Sequence, residues 1–247
     1  MPELLPPFNI SHFGATDIGL LREENDDSFF IHSERGLFAV ADGVGGLPNG
    51  AIASAAAVQR IEDWLEQTDT QRGELNFPLL FEEVHDHIRK LGRSFESLSG
   101  IGTTLTVAQI VGRQLIVAHA GDSGILLLRK GSCWALTRNH TIAEDIRSRL
   151  TGADSAYIAG ELEHTLSRCM GQGEDAFPDI ERFDLEAGDR LLLYTDGVTD
   201  QCHPEEILKV STASTTPRHM VEQLIKDANA RGGHDNATAI AIYIEPA

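Results

Sequence analysis

The chain has 247 residues, 41% hydrophobic and 23% charged, which is ordinary globular usage and excludes disorder or a fibrous repeat as a description of the whole. With 38 Asp and Glu against 20 Lys and Arg, the net charge is −18. Such a surface repels nucleic-acid phosphates and anionic lipid heads, so neither nucleic acid nor membrane is an expected partner. The longest apolar stretches, such as Ala51 to Val58, fall far short of a membrane span. The start, Met1-Pro-Glu-Leu-Leu-Pro-Pro, shows no basic-then-apolar leader, and Cys133, Cys169 and Cys202 are too scattered for a zinc knuckle or a disulfide framework. The expected location is a reducing cytoplasm.

Taken in chain order, strand-length apolar runs occur at 27–31 and 36–41, and a helix is predicted to begin after Pro48-Asn-Gly and to run to about Glu66. A second helix carries Leu80, Val84, Ile88 and Leu91 on one face. Strand runs follow at 103–108, 115–120 and 125–128. The stretch from Thr137 to about Thr165 is more polar and partly helical, either a mobile insert over a site or a peripheral helix. A strand run at 190–194 comes next, and Ser211 to Thr216 reads as a polar loop. Thr216-Pro217 opens a third helix that Gly232-Gly233 stops, and 237–244 is the last strand. This order is not a regular βαβ alternation; it reads as strand-rich α+β.

The informative residues are aspartates at strand ends. Asp26 and Asp27 begin one strand run and Asp42 ends the next, so an antiparallel hairpin through Ile31 to Gly36 would place them on one rim. By the same logic Asp196, closing one run, meets Asp235, which stands just before the last strand; Asp122 also follows a strand. Converging carboxylates without matching cations raise one another's pKa, and such a rim is stable when divalent ions sit in it. All-oxygen ligands favour Mg²⁺ or Mn²⁺ over zinc. Asp-Gly is also the commonest hairpin turn signal, but neither Asp42-Gly43 nor Asp196-Gly197 is followed by a returning strand.

Eight short blocks stand in order along the chain: Arg22-Glu-Glu-Asn-Asp-Asp27, Ala41-Asp-Gly-Val-Gly-Gly46 with Gly50 and Ser54, Gly102-Thr-Thr, Gly121-Asp-Ser, Leu136-Thr with His140, Leu166-Ser-Arg with Gly171, Thr195-Asp-Gly197, and Gly232-Gly-His-Asp-Asn236. In content and order they resemble the motifs of the metal-dependent Ser/Thr protein phosphatases of type 2C, in their short bacterial form. The resemblance implies a β-sandwich of two mainly antiparallel sheets flanked by helices. It also implies a single catalytic domain over residues 1–247, with a small flap insert at about 138–165.

The resemblance further implies a two-ion Mg²⁺ or Mn²⁺ centre bridged by Asp42. Asp196 and Asp235 would complete one ion's protein ligands, and Asp26 with the Gly43 carbonyl would serve the other. Asp122 with Asp196 would hold a third, weaker ion. Asp27 would orient water from behind, and Arg22 would grip the substrate phosphate through a bidentate fork. The implied chemistry is direct attack on phosphoserine or phosphothreonine by water activated between two metals, opposing a Ser/Thr protein kinase.

Some positions depart from the family pattern. Asp26 replaces a more usual glutamate, and Val44 stands where eukaryotic members often have a histidine proposed as general acid. Gly124 replaces a common arginine and Asn139 a common aspartate, changes expected to affect local packing rather than the metals. Two rival readings are a catalytically silent protein-binding relative and a phosphatase of small phosphoesters. Gly121-Asp-Ser-Gly124 also matches a serine-protease signature, but the residues that follow, Ile-Leu-Leu, do not. His85, His87 and His140 lack metal-motif spacing and read as surface or capping residues; Trp64 and Trp134 read as core.

Overall fold

The strand runs fold as two five-stranded sheets packed face to face. The computed structural model describes residues 8–44, 49–67, 73–95, 100–149, 160–173 and 177–247. One sheet contains β2 (Asp27–His32), β3 (Leu37–Asp42), β4 (Leu105–Val111), β5 (Gln114–Ala120) and β8 (Asp179–Asp184), in that spatial order. The other runs β1 (Phe8–Asp17), β10 (Ala237–Pro246), β9 (Arg190–Tyr194), β6 (Gly124–Arg129) and β7 (Ser132–Ala135). Every strand pairing between these elements is antiparallel. The α+β sandwich implied by the sequence is the observed architecture.

Period-two alternation explains why the strands are apolar throughout. In β3, Phe38 and Val40 face the opposite sheet and pack in one layer with Ile125, Leu191, Leu193, Ile240 and Ile242. Their neighbours Leu37, Ala39 and Ala41 face outward and meet Ile61, Phe81, Val84 and Ile88 from α1 (Gly50–Gln67) and α2 (Phe77–Ser94). The other sheet turns Leu192, Ala239 and Ala241 toward Val221 and Leu224 of α6 (Pro217–Ala230). Both faces of the central strands are therefore buried, and the core is three apolar layers rather than one.

The helix ends follow their sequence signals. Asn76 caps α2 by accepting the Leu79 N–H, with Pro78 in the first turn. Thr216 caps α6 by accepting the His219 N–H at 3.2 Å. Gly232 and Gly233, both at positive φ, turn the chain away after α6.

Several expectations need correction. The edge strands β1, β7 and β8 carry too many polar residues for an apolar-run reading to find them. A further helix, α5 (Pro204–Ala213), absorbs the start of the segment read as a loop from Ser211. Trp134 is not core: it lies on edge strand β7, paired only with β6, and is 46% exposed, whereas Trp64 is buried. Of the two readings given for His85 and His140, surface or capping, the capping one holds. Both are buried and cap backbone, accepting the N–H groups of Gly171 and Gly121 on their Nδ1 atoms.

The expected insert at 138–165 is described at its two ends only, because 150–159 lie outside the described residues, as do the opening segment 1–7 and Gly45 and Gly46 of the predicted motifs. Its first arm is the helix α3 (Ile142–Arg149). The arms are joined at the base by a bridge between Thr141 and Leu166 and by the Ile142 N–H donating to the Thr165 carbonyl at 2.8 Å.

The layered core predicts a sharp contrast in stability. Phe38→Ala, at the centre of the intersheet layer, should lower unfolding free energy by about 3–5 kcal/mol. Trp134→Ala should cost under about 1 kcal/mol. Urea denaturation of the two variants checks this.

Candidate metal centre

The strand registers bring the predicted aspartates to one end of the sandwich. Asp27 and Asp42 stand directly opposite each other across β2 and β3. Asp196 follows the end of β9 and Asp235 precedes β10, its antiparallel neighbour. Asp122 lies in the short connection from β5 to β6. Asp26, Asp42, Asp122, Asp196 and Asp235 all line one cavity of about 350 Å³, together with Arg22, Gly43 and Val44. Asp27 is buried beside this rim rather than in its lining.

Small side chains and close backbone approaches fix each carboxylate. The Asp42 N–H donates to Thr104 Oγ1 at 2.9 Å, and the Asp42 carbonyl accepts from Thr103 Oγ1 and the Thr104 N–H, both at 2.8 Å. Thr104 Oγ1 in turn meets Ser123 Oγ at 2.7 Å, which ties the connection bearing Asp122 to the strand bearing Asp42. These contacts give the Gly102-Thr-Thr and Gly121-Asp-Ser blocks a positional role.

Gly43 approaches the start of α1 so closely that a Cβ would lie 2.4 Å from Gly50 backbone atoms. Gly197 is equally constrained, since a Cβ there would lie 2.0 Å from the Asn236 carbonyl. A Cβ at Gly124 would lie 2.5 Å from the Tyr194 hydroxyl, so the glycine leaves room for that group.

Asn236 is the cross-brace of the rim. Its Oδ1 accepts the Asp26 N–H at 2.7 Å, while its Nδ2 donates to the carbonyls of Ile18 and Glu24 at 2.9 and 3.0 Å. The loop carrying Arg22 and Asp26 is thereby fastened to the residue after Asp235. Asp26 Oδ1 accepts the Ala51 N–H at 2.7 Å, in the first turn of α1, so this shorter carboxylate also anchors the helix. Arg22 Nη2 lies 2.6 Å from Asp235 Oδ2 at the cavity mouth.

The electrostatics of the rim are those of an uncompensated anion cluster. Burial and then the neighbouring carboxylates push the carboxyl groups of Asp42 and Asp122 upward. Asp196 shifts the same way, through burial and then Asp200 and Asp235. Burial also raises Asp27, against the opposing hydrogen bond from Thr195 Oγ1 at 2.8 Å. Asp27 Oδ1 and Asp196 Oδ1 are buried with no hydrogen-bond donor among the described residues. Arg22 is the one arginine or lysine among the described residues lining the cavity. Buried carboxylate oxygens without donors, in an all-oxygen set, fit hard divalent cations.

The cavity also contains His164 and Asp200, which sequence reasoning did not single out. Asp200 had a usable signal. Thr195-Asp196 recurs as Thr199-Asp200 four residues on, and the one-turn helix α4 (Asp196–Thr199) puts both carboxylates on one side. His164 had none, because it reaches the site from the insert.

The chain is similar to known proteins over most of its length. A family model described as protein phosphatase 2C matches residues 18–237, and the chain belongs to that family. Protein phosphatase PhpP of Streptococcus pneumoniae is 32% identical over 237 residues, covering 92% of this chain and 94% of that protein. The solved serine/threonine phosphatase of S. agalactiae superposes with a TM-score of 0.86 at 31% identity, covering 96% of this chain and all of that one. The catalytic domain of the serine/threonine phosphatase PstP, solved in complex with two manganese ions, gives a TM-score of 0.82 at 28% identity, covering 96% and 98% of the two chains.

The cross-brace can be tested directly. Asn236→Ala strands the Asp26 N–H and frees the Arg22 loop, so divalent-metal affinity should fall by about 10–100-fold with the fold retained. Isothermal titration with Mn²⁺ and circular dichroism measure the two effects.

Proposed function

We propose that the phosphatase activity of this 2C-family chain resides in the rim of aspartates. Asp42, Asp196 and Asp235 would hold one Mg²⁺ or Mn²⁺ ion, Asp42 with Asp26 and the Gly43 carbonyl would hold a second, and Asp122 with Asp196 would hold a third. The observation that carries this reading is the convergence of carboxylates from separate parts of the chain on one cavity that, among the described residues, contains a single arginine.

Bound there, the ions supply Lewis acidity toward phosphoryl oxygens and lower the pKa of water to near neutrality. The chain's own groups do the rest. Arg22 presents a planar guanidinium at the mouth, where a phosphoryl group can take a bidentate grip. Asp27, held by the Thr195 hydroxyl, orients water from behind the rim. Val44 offers no proton, so the departing serine or threonine oxygen is protonated by water.

The substrates on this reading are phosphorylated proteins, and a Ser/Thr protein kinase is the opposing enzyme. The relatives' names support protein substrates over small phosphoesters. A silent binding module is disfavoured because a scaffold gains nothing from buried carboxylates without donors. The whole chain acts as one catalytic domain, and three free cysteines suit a cytoplasmic setting. No helix among the described residues is long and apolar enough to cross a membrane.

Turnover of a phosphoserine and phosphothreonine peptide panel with and without Mn²⁺ tests the reading. Activity should require the ion and vanish with excess chelator; undiminished turnover under chelation would defeat it. Asp196→Asn should lower kcat by at least about 100-fold while the protein remains folded. Arg22→Ala should chiefly raise KM, by about 10–100-fold, because it removes a charge-assisted hydrogen-bonded grip worth about 1.5–3 kcal/mol. An unchanged KM would remove Arg22 from phosphate binding.

A further inference from the structure

Three large apolar side chains stand exposed in the loop that carries Arg22. Ile18, Leu20 and Leu21 lie in the connection from β1 to β2, and Leu20 and Leu21 are each 65% exposed. The next residue is Arg22, which lines the cavity. A single exposed leucine is ordinary on a protein surface. Three such residues within four positions, directly before the arginine at the mouth, form a patch, and apolar patches beside a polar rim mark contact sites.

The patch is fixed from below. The Gly19 N–H donates to Asp17 Oδ1 at 2.8 Å, and Asn229 Nδ2 donates to the same oxygen at 2.9 Å. The Leu20 and Leu21 N–H groups both donate to the Gly233 carbonyl, at 2.8 and 3.3 Å, and the Ile18 carbonyl accepts from Asn236 Nδ2 at 2.9 Å. Leu20 rests on Gly233, where a Cβ would lie 2.8 Å from Leu20 Cγ, while the Arg22 guanidinium rests on Asp235. The apolar group and the phosphate grip thus share one three-residue stretch, 233–235, whose ends are at most about 7 Å apart. An extended peptide covers that distance in two residues.

We propose that Leu20 and Leu21 determine specificity, by packing against an apolar side chain within two residues of the phosphoserine or phosphothreonine. The proposal rests on the two-ion reading above and on Arg22 as the phosphate grip. The cavity, about 350 Å³ and lined by aspartates, takes a phosphorylated side chain and ions; the flanking residues of a protein substrate pass over its lip. An apolar flank removes from water both its own surface and that of a leucine already exposed. Little ordering is needed, because the loop is held in place before substrate arrives. Glu23 and Glu24, both exposed, follow Arg22 in the same loop. A basic flank has its own partners there, so the two preferences are separable by substitution.

Steady-state kinetics with Mn²⁺ on matched phosphothreonine peptides test this. One series carries leucine at single positions from two before to two after the phosphoresidue, a second carries serine there and a third lysine. For wild-type protein, kcat/KM at the favoured position should be about 10-fold higher with leucine than with serine. Leu20→Ser combined with Leu21→Ser should bring that ratio to within about 2-fold of one, and Leu21→Ser alone should lower it about 3-fold. Leu20→Met with Leu21→Met should keep it, because volume and apolar character are retained. General damage to folding or metal binding slows both peptides alike and leaves the ratio where it was.

A wild-type ratio near one at all four positions, or a preference that survives the serine variants, overturns the proposal. A preference for lysine alone assigns selection to Glu23 and Glu24 and overturns it too. Either result with Mn²⁺-dependent turnover intact sinks the apolar lip and spares the two-ion reading. No Mn²⁺-dependent turnover of any peptide sinks both.

Discussion

Mutual repulsion among buried carboxylates is the constraint on which the rest of the molecule depends. Two such charges 4–5 Å apart at an effective dielectric near 20 repel by about 3–4 kcal/mol. One arginine at the mouth, already engaged with Asp235, offsets a small part of this. The rim therefore destabilises the apo fold, and the three apolar layers beneath it supply the stability that tolerates it. The same unfavourable field becomes useful once hard cations enter, because their charge reverses the local potential and lets a protein of net charge −18 accept a phosphate.

Holding such a cluster together requires its backbone to be fixed by groups that add no charge. The structure uses hydroxyls and one amide for this purpose. Thr103, Thr104 and Ser123 tie Asp42 to the Asp122 connection, Thr195 holds Asp27, and Asn236 fastens the Asp26 loop to the start of β10. Neutral hydrogen bonds fix direction without neutralising the carboxylates, which remain available to ligate. This explains why the motif blocks interleave aspartates with Thr, Ser, Asn and Gly. The polar residues position, the glycines admit backbone to within contact distance, and the aspartates are left facing the cavity.

Legibility in the sequence followed the strength of the local signal. The rim was readable because Asp27 and Asp42 sit at the ends of two apolar runs too close together to pair any other way. The helices α1, α2 and α6 were readable from apolar spacing and, for α6, from its Thr-Pro start. Edge strands were not, because a strand with one neighbour and a wet face loses the apolar run that marks a central strand. Trp134 misled for the same reason, since residue type suggests burial but position on an edge strand decides it. Burial of His85 and His140 was equally hidden, because their partners are backbone amides remote in sequence. His164 shows the limit most clearly, being a local residue of a polar insert whose relevance exists only after folding.

The position of that insert bears on how catalysis and access are coupled. Its two arms close on each other at Thr141 and Leu166, so the base is fixed, and among the described residues of the insert His164 lines the cavity. The carboxylate it faces, Asp200, follows a one-turn helix that begins with Asp196. The carboxylates at β-strand ends are held from below by the paired strands of the sandwich. His164 instead reaches the cavity from a segment whose described arms are tied together at their base, so the two sides of the cavity are fixed by independent parts of the fold.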